Sequence, residues 1–89
     1  YWTPVMSMAR QAAHDVELRG VTVKEGDGVL LAYASANRDQ DHWGPTAEEF
    51  DITRDDAASH LGFGVGEHFC MGAALARREA RLLLEAITR

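Results

Sequence analysis

Cysteine is nearly absent from this chain: Cys70 stands alone among 89 residues. No internal disulfide can form, so the framework on which small secreted domains are built is excluded and a cytoplasmic setting is favoured. Long apolar runs are missing too. No stretch approaches the roughly 20 residues that a membrane-spanning helix needs, no basic-then-apolar leader opens the sequence, and no membrane association is expected. Basic side chains are scarce, with 5 against 12 acids over residues 1–69. No cluster of Lys and Arg interleaved with aromatics offers a footprint for nucleic acid, and none is expected as a partner. Internal repeats and low-complexity tracts are absent as well.

What remains is an ordinary globular composition, 46% apolar and 26% charged, with a formal net charge of -5. The basic excess lies only in the tail, where residues 70–89 hold 4 bases and 2 acids. A chain this short forms one small core at most and buries a modest fraction of its surface, so its independent stability is expected to be marginal. Its first residue is Tyr1, and Tyr1, Trp2 and Pro4 crowd that end with bulky groups that call for a packing partner. A piece of a longer protein is expected.

Pro4 disfavours a helix interior nearby, and Val5 to Ala13 is expected to be extended. Val16, Leu18, Val21 and Val23 alternate around Arg19-Gly20, which predicts a hairpin with Gly20 in the left-handed turn position. Gly26-Asp27-Gly28 marks another turn. The continuous apolar run from Val29 to Ala34 predicts a strand covered on both faces. From residue 35 to 60 the turn formers Ser35, Asn37, Asp39, Asp41, Gly44, Pro45, Asp51, Asp55 and Asp56 predict a meander, with at most a helical turn near Thr46 to Phe50. Such long irregular segments are usually functional or packed across something large. Past Cys70, Met71, Leu75, Leu82 and Ala86, flanked by Ala76, Ala80, Leu83 and Ile87, form the apolar stripe of a helix. Arg77, Arg81 and Glu85 line another face, where Arg81 and Glu85 are spaced for an ion pair.

The chemistry concentrates in Phe63-Gly64-Val65-Gly66-Glu67-His68-Phe69-Cys70-Met71-Gly72, a glycine-rich loop that delivers the cysteine to a helix start. The positive end of a helix dipole favours a thiolate over a thiol there. Closely spaced glycines let the backbone approach a bulky ligand and turn further N–H groups toward the sulfur. A thiolate is one of the few side chains that ligate haem iron axially. Three other readings stand beside this one. A lone cysteine is commonly a small buried hydrophobe. Gly62-x-Gly64-x-Gly66 before a helix suggests phosphate or dinucleotide binding, although the spacing is not that of the dinucleotide fingerprint and Ala57 to Leu61 is weakly β-like. Zinc held by Cys70, His68 and other histidines lacks any paired ligand spacing.

Taken together, Phe63, Gly64, Gly66, His68, Cys70 and Gly72 resemble the haem-binding loop of the cytochrome P-450 superfamily, the haem-thiolate monooxygenases. Ser35-Ala36-Asn37-Arg38-Asp39, Phe50-Asp51-Ile52-Thr53-Arg54 and Ala76-Arg77-Arg78-Glu79 resemble, in the same order, segments of its bacterial soluble branch. The resemblance covers essentially the whole chain. It implies an α+β fragment of short β-strands, a long meander loop, a Cys-bearing haem loop and one C-terminal amphipathic helix, within the mainly α fold of that family. The chain would be the C-terminal part of a single domain: strands over 1–34, meander over 35–60, haem-binding loop over 61–72 and proximal helix over 71–88.

The same resemblance implies roles. Cys70 would be the catalytic axial ligand of haem b (iron protoporphyrin IX), with Gly64, Gly66 and Gly72 allowing close backbone approach and Ala76 on the helix along the haem. Arg10 and His68 would contact the propionates, where guanidinium and imidazole suit a carboxylate. Phe63 would pack beside the sulfur and tune its surroundings. Arg54 would be the third member of an ion network whose Glu-x-x-Arg pair is absent from these residues; unpaired, it would be a surface charge. Val5, Met6 and Ser7 would edge the pocket of a small organic substrate. Arg77 and Arg81, with Arg78, would face an acidic electron donor of ferredoxin or flavodoxin type. Electrons would come from NAD(P)H through that partner, and one oxygen atom of O2 would enter the substrate. The 89 residues alone are expected to be inactive, and a truncated remnant that holds no haem is the alternative.

Overall fold

A computed structural model describes residues 3–89. Four short strands come first: β1 (Met8–Gln11), β2 (Val16–Leu18), β3 (Val21–Val23) and β4 (Gly28–Leu31). Two one-turn helices follow, α1 (Tyr33–Ala36) and α2 (Gln40–Trp43). After 3-10 turns at Ala57–Ser59 and Gly66–His68, the chain ends in α3 (Ala73–Ile87).

β2 and β3 form the expected hairpin, with Val16 opposite Val23 and Leu18 opposite Val21. Its turn needs two left-handed residues rather than one, because Arg19 (φ 47°) joins Gly20 (φ 80°). Successive positive φ values match the twist of the flanking strands, so the arginine accepts a conformation that glycine alone was expected to take. The hairpin is nested between β1 and β4, which pair antiparallel from Met8 with Leu31 to Gln11 with Gly28. Hydrogen bonds from Ala12 N–H to Asp27 O and from Gly26 N–H to Ala12 O, both 2.9 Å, extend that ladder. Asp15 fastens the returning strand, accepting from Lys24 Nζ at 2.7 Å and from Glu25 N–H at 2.9 Å. These two donors hold its carboxyl below the usual carboxylate range.

Three expectations change. Val29 to Ala34 is not one strand covered on both faces: β4 stops at Leu31, Leu30 is 67% exposed and the chain turns into α1. A two-stranded sheet has too little area to cover two faces, and Ala34 is buried as a helical residue whose N–H donates to Met6 O at 3.1 Å. Val5, Met6 and Ser7 precede β1 and lie outside the ladder, the first two exposed. The meander contains a helix where turns were expected, because Asp39 caps α2 by accepting from Asp41 N–H at 3.0 Å and Gly44 ends it. Thr46 to Phe50 forms hydrogen-bonded turns instead of a helical one.

α3 starts at Ala73, two residues later than the apolar periodicity suggests, and ends at Ile87. At 15 residues it is not long and apolar enough to cross a membrane. Leu75, Leu82, Leu83 and Ile87 are all exposed, and only Ala73 is buried. The buried residues elsewhere are few: Ala34, Trp43 and Ala47, with the polar Thr3 and Asn37. The molecule measures 53 × 31 × 16 Å. With so few residues removed from water, the described residues build no extensive core of their own.

Candidate functional site

Two irregular segments meet here, and they are held by different bonds. In the meander, Arg54 is the knot. Its Nε and one terminal nitrogen grip both carboxylate oxygens of Asp56 at 3.0 and 3.2 Å. The same terminal nitrogen donates to Trp43 O at 2.8 Å, and the other reaches Thr46 Oγ1 at 3.2 Å. The guanidinium carbon stands 5.5 Å from the centroid of the buried Trp43 ring. Trp43 Nε1 donates in turn to Ala36 O at 2.9 Å, tying α2 to α1. Arg54 is paired within these residues, its side chain only 17% exposed. The fork of a guanidinium satisfies several carbonyl and carboxylate oxygens at once, which a meander without backbone ladders requires. Arg54 holds Asp56 below the usual carboxylate range, and Asp56 raises Arg54. A cleft of about 260 Å³ opens beside this knot between Asn37, Trp43, Phe50, Arg54 and His60.

The cysteine loop begins where the meander ends. Asn37, buried in α1's C-terminal cap, accepts from Leu61 N–H at 2.7 Å. Thr3 Oγ1 donates toward Val5 O and Gly62 O at 3.2 and 3.4 Å. His60 Nδ1 accepts from Gly62 N–H at 3.0 Å, which fixes the tautomer with hydrogen on the other nitrogen. Burial first, then the nearby charge of Arg77, pushes the His60 imidazole below its ordinary value.

Beyond Gly62 the loop is closed by backbone bonds alone. Gly64 and Gly66 take φ of 70° and 71°, the left-handed conformation that only glycine adopts freely. Gly64 N–H donates to Leu61 O at 2.9 Å, Phe69 N–H to Gly66 O at 3.1 Å, Cys70 N–H to Phe63 O at 2.9 Å and Ala73 N–H to Cys70 O at 3.2 Å. The sulfur is exposed, and among the described residues no backbone N–H donates to it. Four N–H groups, of Gly64, Phe69, Cys70 and Ala73, are spent on closing the loop rather than on Sγ. A Cβ on Gly72 would lie 3.8 Å from Cys70 Sγ, an ordinary contact, so nothing within this chain forces glycine there. Ala76 N–H donates to Gly72 O at 2.9 Å as α3 gets under way.

Phe63 is the hub of the loop. Phe69 meets it edge-on at 6.4 Å between centroids, His60 lies 5.6 Å away, and the Arg77 guanidinium carbon is 4.7 Å above its ring. The fold thus brings together Phe63, Gly64, Gly66, Cys70, Gly72, Ala76 and Arg77. Arg10, in β1, donates to Ala9 O at 2.9 Å and has no bond to the loop. His68 closes the second 3-10 turn with its imidazole exposed. Arg81 pairs with Glu85 at 2.8 Å as expected. Asn37, Trp43, Asp56 and His60 were missed as site residues. The signal for Trp43 was a lone large aromatic in an otherwise polar segment, since such a ring demands burial and a partner for its N–H.

The chemistry available is that of one accessible soft sulfur donor. No group of three His, Cys, Asp or Glu gathers for a metal among the described residues. The glycine run is entered from the 3-10 turn Ala57–Ser59, whereas a dinucleotide loop is entered from a strand. An open thiol on a loop closed by its own amides fits a ligand that arrives from outside and bonds the sulfur directly.

The cytochrome P450 family model matches residues 1–89. The chain is 46% identical over 87 residues to cytochrome P450-terp of a Pseudomonas species, covering 97% of this chain and 20% of that protein. It is 41% identical over 86 residues to linalool 8-monooxygenase of Pseudomonas putida, covering 97% and 21%. The heme domain of Acinetobacter radioresistens CYP116B5 superposes with a TM-score of 0.89 at 40% identity, over 94% of this chain and 20% of that one. The chain belongs to the cytochrome P450 family. It spans about a fifth of the length of the relatives it matches.

Proposed function

We propose that these residues are the haem-binding, C-terminal segment of a bacterial-type cytochrome P450 monooxygenase. The observation that supports this reading is the exposed, unbonded sulfur of Cys70 on a loop closed by its own amides, within a chain of this family. Haem b supplies the oxygen chemistry when bound, inserting one atom of O2 into a small organic substrate. Cys70 holds the iron through sulfur, a ligand that pushes electron density toward oxygen. Gly64 and Gly66 keep the loop free of side chains where a flat group has to approach. Phe63 would pack beside the sulfur in the haem-bound protein and shield it from water there.

Arg10 and His68 are available as donors to the propionates, and Ala76 offers a small surface along the porphyrin. Val5, Met6 and Ser7 contribute to the edge of the substrate pocket. Arg77 and Arg81 lie on the helix that follows the cysteine and present positive charge to an acidic donor of ferredoxin or flavodoxin type, which passes on electrons from NAD(P)H. Arg54 secures the meander and completes an ion network with residues of the longer protein. We place that protein in the cytoplasm and read 1–34, 35–60, 61–72 and 71–88 as parts of one domain. The 89 residues alone are expected to turn over no substrate, since they make up about a fifth of the length of the relatives they match.

The test is spectroscopic. Reduced full-length protein exposed to carbon monoxide is expected to show the red-shifted Soret band of thiolate-ligated haem, and Cys70→Ala is expected to abolish it. A wild-type protein without that band overturns the reading.

A further inference from the structure

We propose that Arg77 is a positioning residue for the cysteine loop: its guanidinium, opposed by the His60 imidazole, clamps the Phe63 ring and so fixes the carbonyl that receives the Cys70 N–H. The consequence for the iron ligand rests on the haem reading above; the clamp itself does not. Three groups from three parts of the fold converge on the Phe63 ring. His60 ends the meander, Phe63 and Phe69 belong to the loop, and Arg77 comes from α3. A helical side chain leans toward the N-terminus of its helix, so Arg77, one turn beyond the buried Ala73, reaches back over the loop while staying exposed.

At 4.7 Å the guanidinium lies within the range in which a cation is attracted to the negative face of a ring. Phe63 is also the residue whose carbonyl accepts from Cys70 at 2.9 Å, so a tilt of Phe63 reaches the cysteine backbone through one hydrogen bond. His60 is anchored independently through Gly62 N–H, and a Cβ on Gly62 would come within 2.9 Å of its Nδ1. The imidazole is thereby held against the ring without any bond to Arg77. From within its own loop the Phe63 ring meets only the edge of Phe69, and every closing hydrogen bond there is backbone to backbone.

The experiment uses the full-length protein as its ferrous carbonyl form, with the Soret band recorded on each variant, His60 followed by NMR titration, and exchange of the Cys70 amide measured. Arg77→Leu is expected to raise the His60 pKa and to speed Cys70 exchange about two- to fivefold, the worth of an exposed cation over a ring. In a Phe63→Leu background the same substitution is expected to add nothing to the exchange rate. Arg77→Lys keeps the charge near His60 but not the planar fork, so the titration stays put while part of the exchange protection is lost. Glu79→Gln, on the same helix, controls for a general effect of charge. If Arg77→Leu leaves both His60 and Cys70 unchanged, or if its effect adds to that of Phe63→Leu, the clamp is overturned. If wild-type protein lacks the band, the haem reading falls alone, and the two NMR readouts on the haem-free chain still decide the clamp.

Discussion

The meander and the cysteine loop are neighbours with little regular secondary structure, yet one is knotted by side chains and the other by backbone. Arg54, Trp43 and Asp56 satisfy one another in the meander, so that the Trp43 ring is covered and the guanidinium is engaged on every nitrogen. In the loop the amides satisfy carbonyls, the glycines remove side chains, and the only nucleophilic atom faces outward. The contrast separates a segment that stabilises from a segment that presents. An irregular chain that must hold shape uses charged forks and aromatic burial; one that must admit a ligand leaves its reactive atom without protein partners.

This division can be broken by substitution in full-length protein. The largest effect is expected at Cys70: Cys70→Ala should remove the carbonyl Soret band entirely and take with it the stability that bound haem adds, while the haem-free protein changes in unfolding free energy by no more than about 0.5 kcal/mol, as urea titration of that form would reveal. A large loss of stability there would mean that the sulfur is part of the packing. In the meander the opposite is expected, with Trp43→Ala costing about 3–5 kcal/mol as a buried aromatic is deleted, read from the same titrations. Asn37 bridges the two segments. Asn37→Ala leaves the Leu61 N–H without its acceptor and should cost about 1–3 kcal/mol; faster amide exchange at Leu61 would locate the damage.

Acid should act on the meander before the loop. Because Arg54 lowers the Asp56 pKa from its ordinary value of 3.8, the pair's contribution is complete above that value and is lost as pH falls through the lower folded value. Asp56→Asn should therefore flatten the acid limb of a stability profile, with little effect on the carbonyl band at neutral pH. The smallest effect is expected at Arg81, where Arg81→Ala removes an exposed ion pair worth about 0.3–0.5 kcal/mol. A change in melting temperature too small to resolve would agree with this.

Local pattern was sufficient for some of these features. The hairpin followed from alternation around Arg19-Gly20, α3 from its apolar period, and the loop from six specified positions at fixed spacing, because turns, helix faces and left-handed glycines are set within a few residues. α2 was legible in principle, since Asp39 stands at its N-cap, but the surrounding turn formers masked it. The burial of Val29 to Ala34 was misjudged because covering two faces depends on what lies across the sheet, and an apolar run alone does not say.

The sequence by itself determined which atom is reactive and which short elements surround it: a single thiol, glycines that free the backbone on either side of Val65, and a helix beginning shortly after. Only the tertiary structure decided that Arg54 closes on Asp56 and Trp43, that Asn37 receives Leu61, and that Arg77 lies over Phe63. These pairings join residues 11, 24 and 14 positions apart in the cases of Trp43 with Arg54, Asn37 with Leu61 and Phe63 with Arg77. Contacts at such separations depend on how the whole chain turns, and no periodicity or local propensity encodes them.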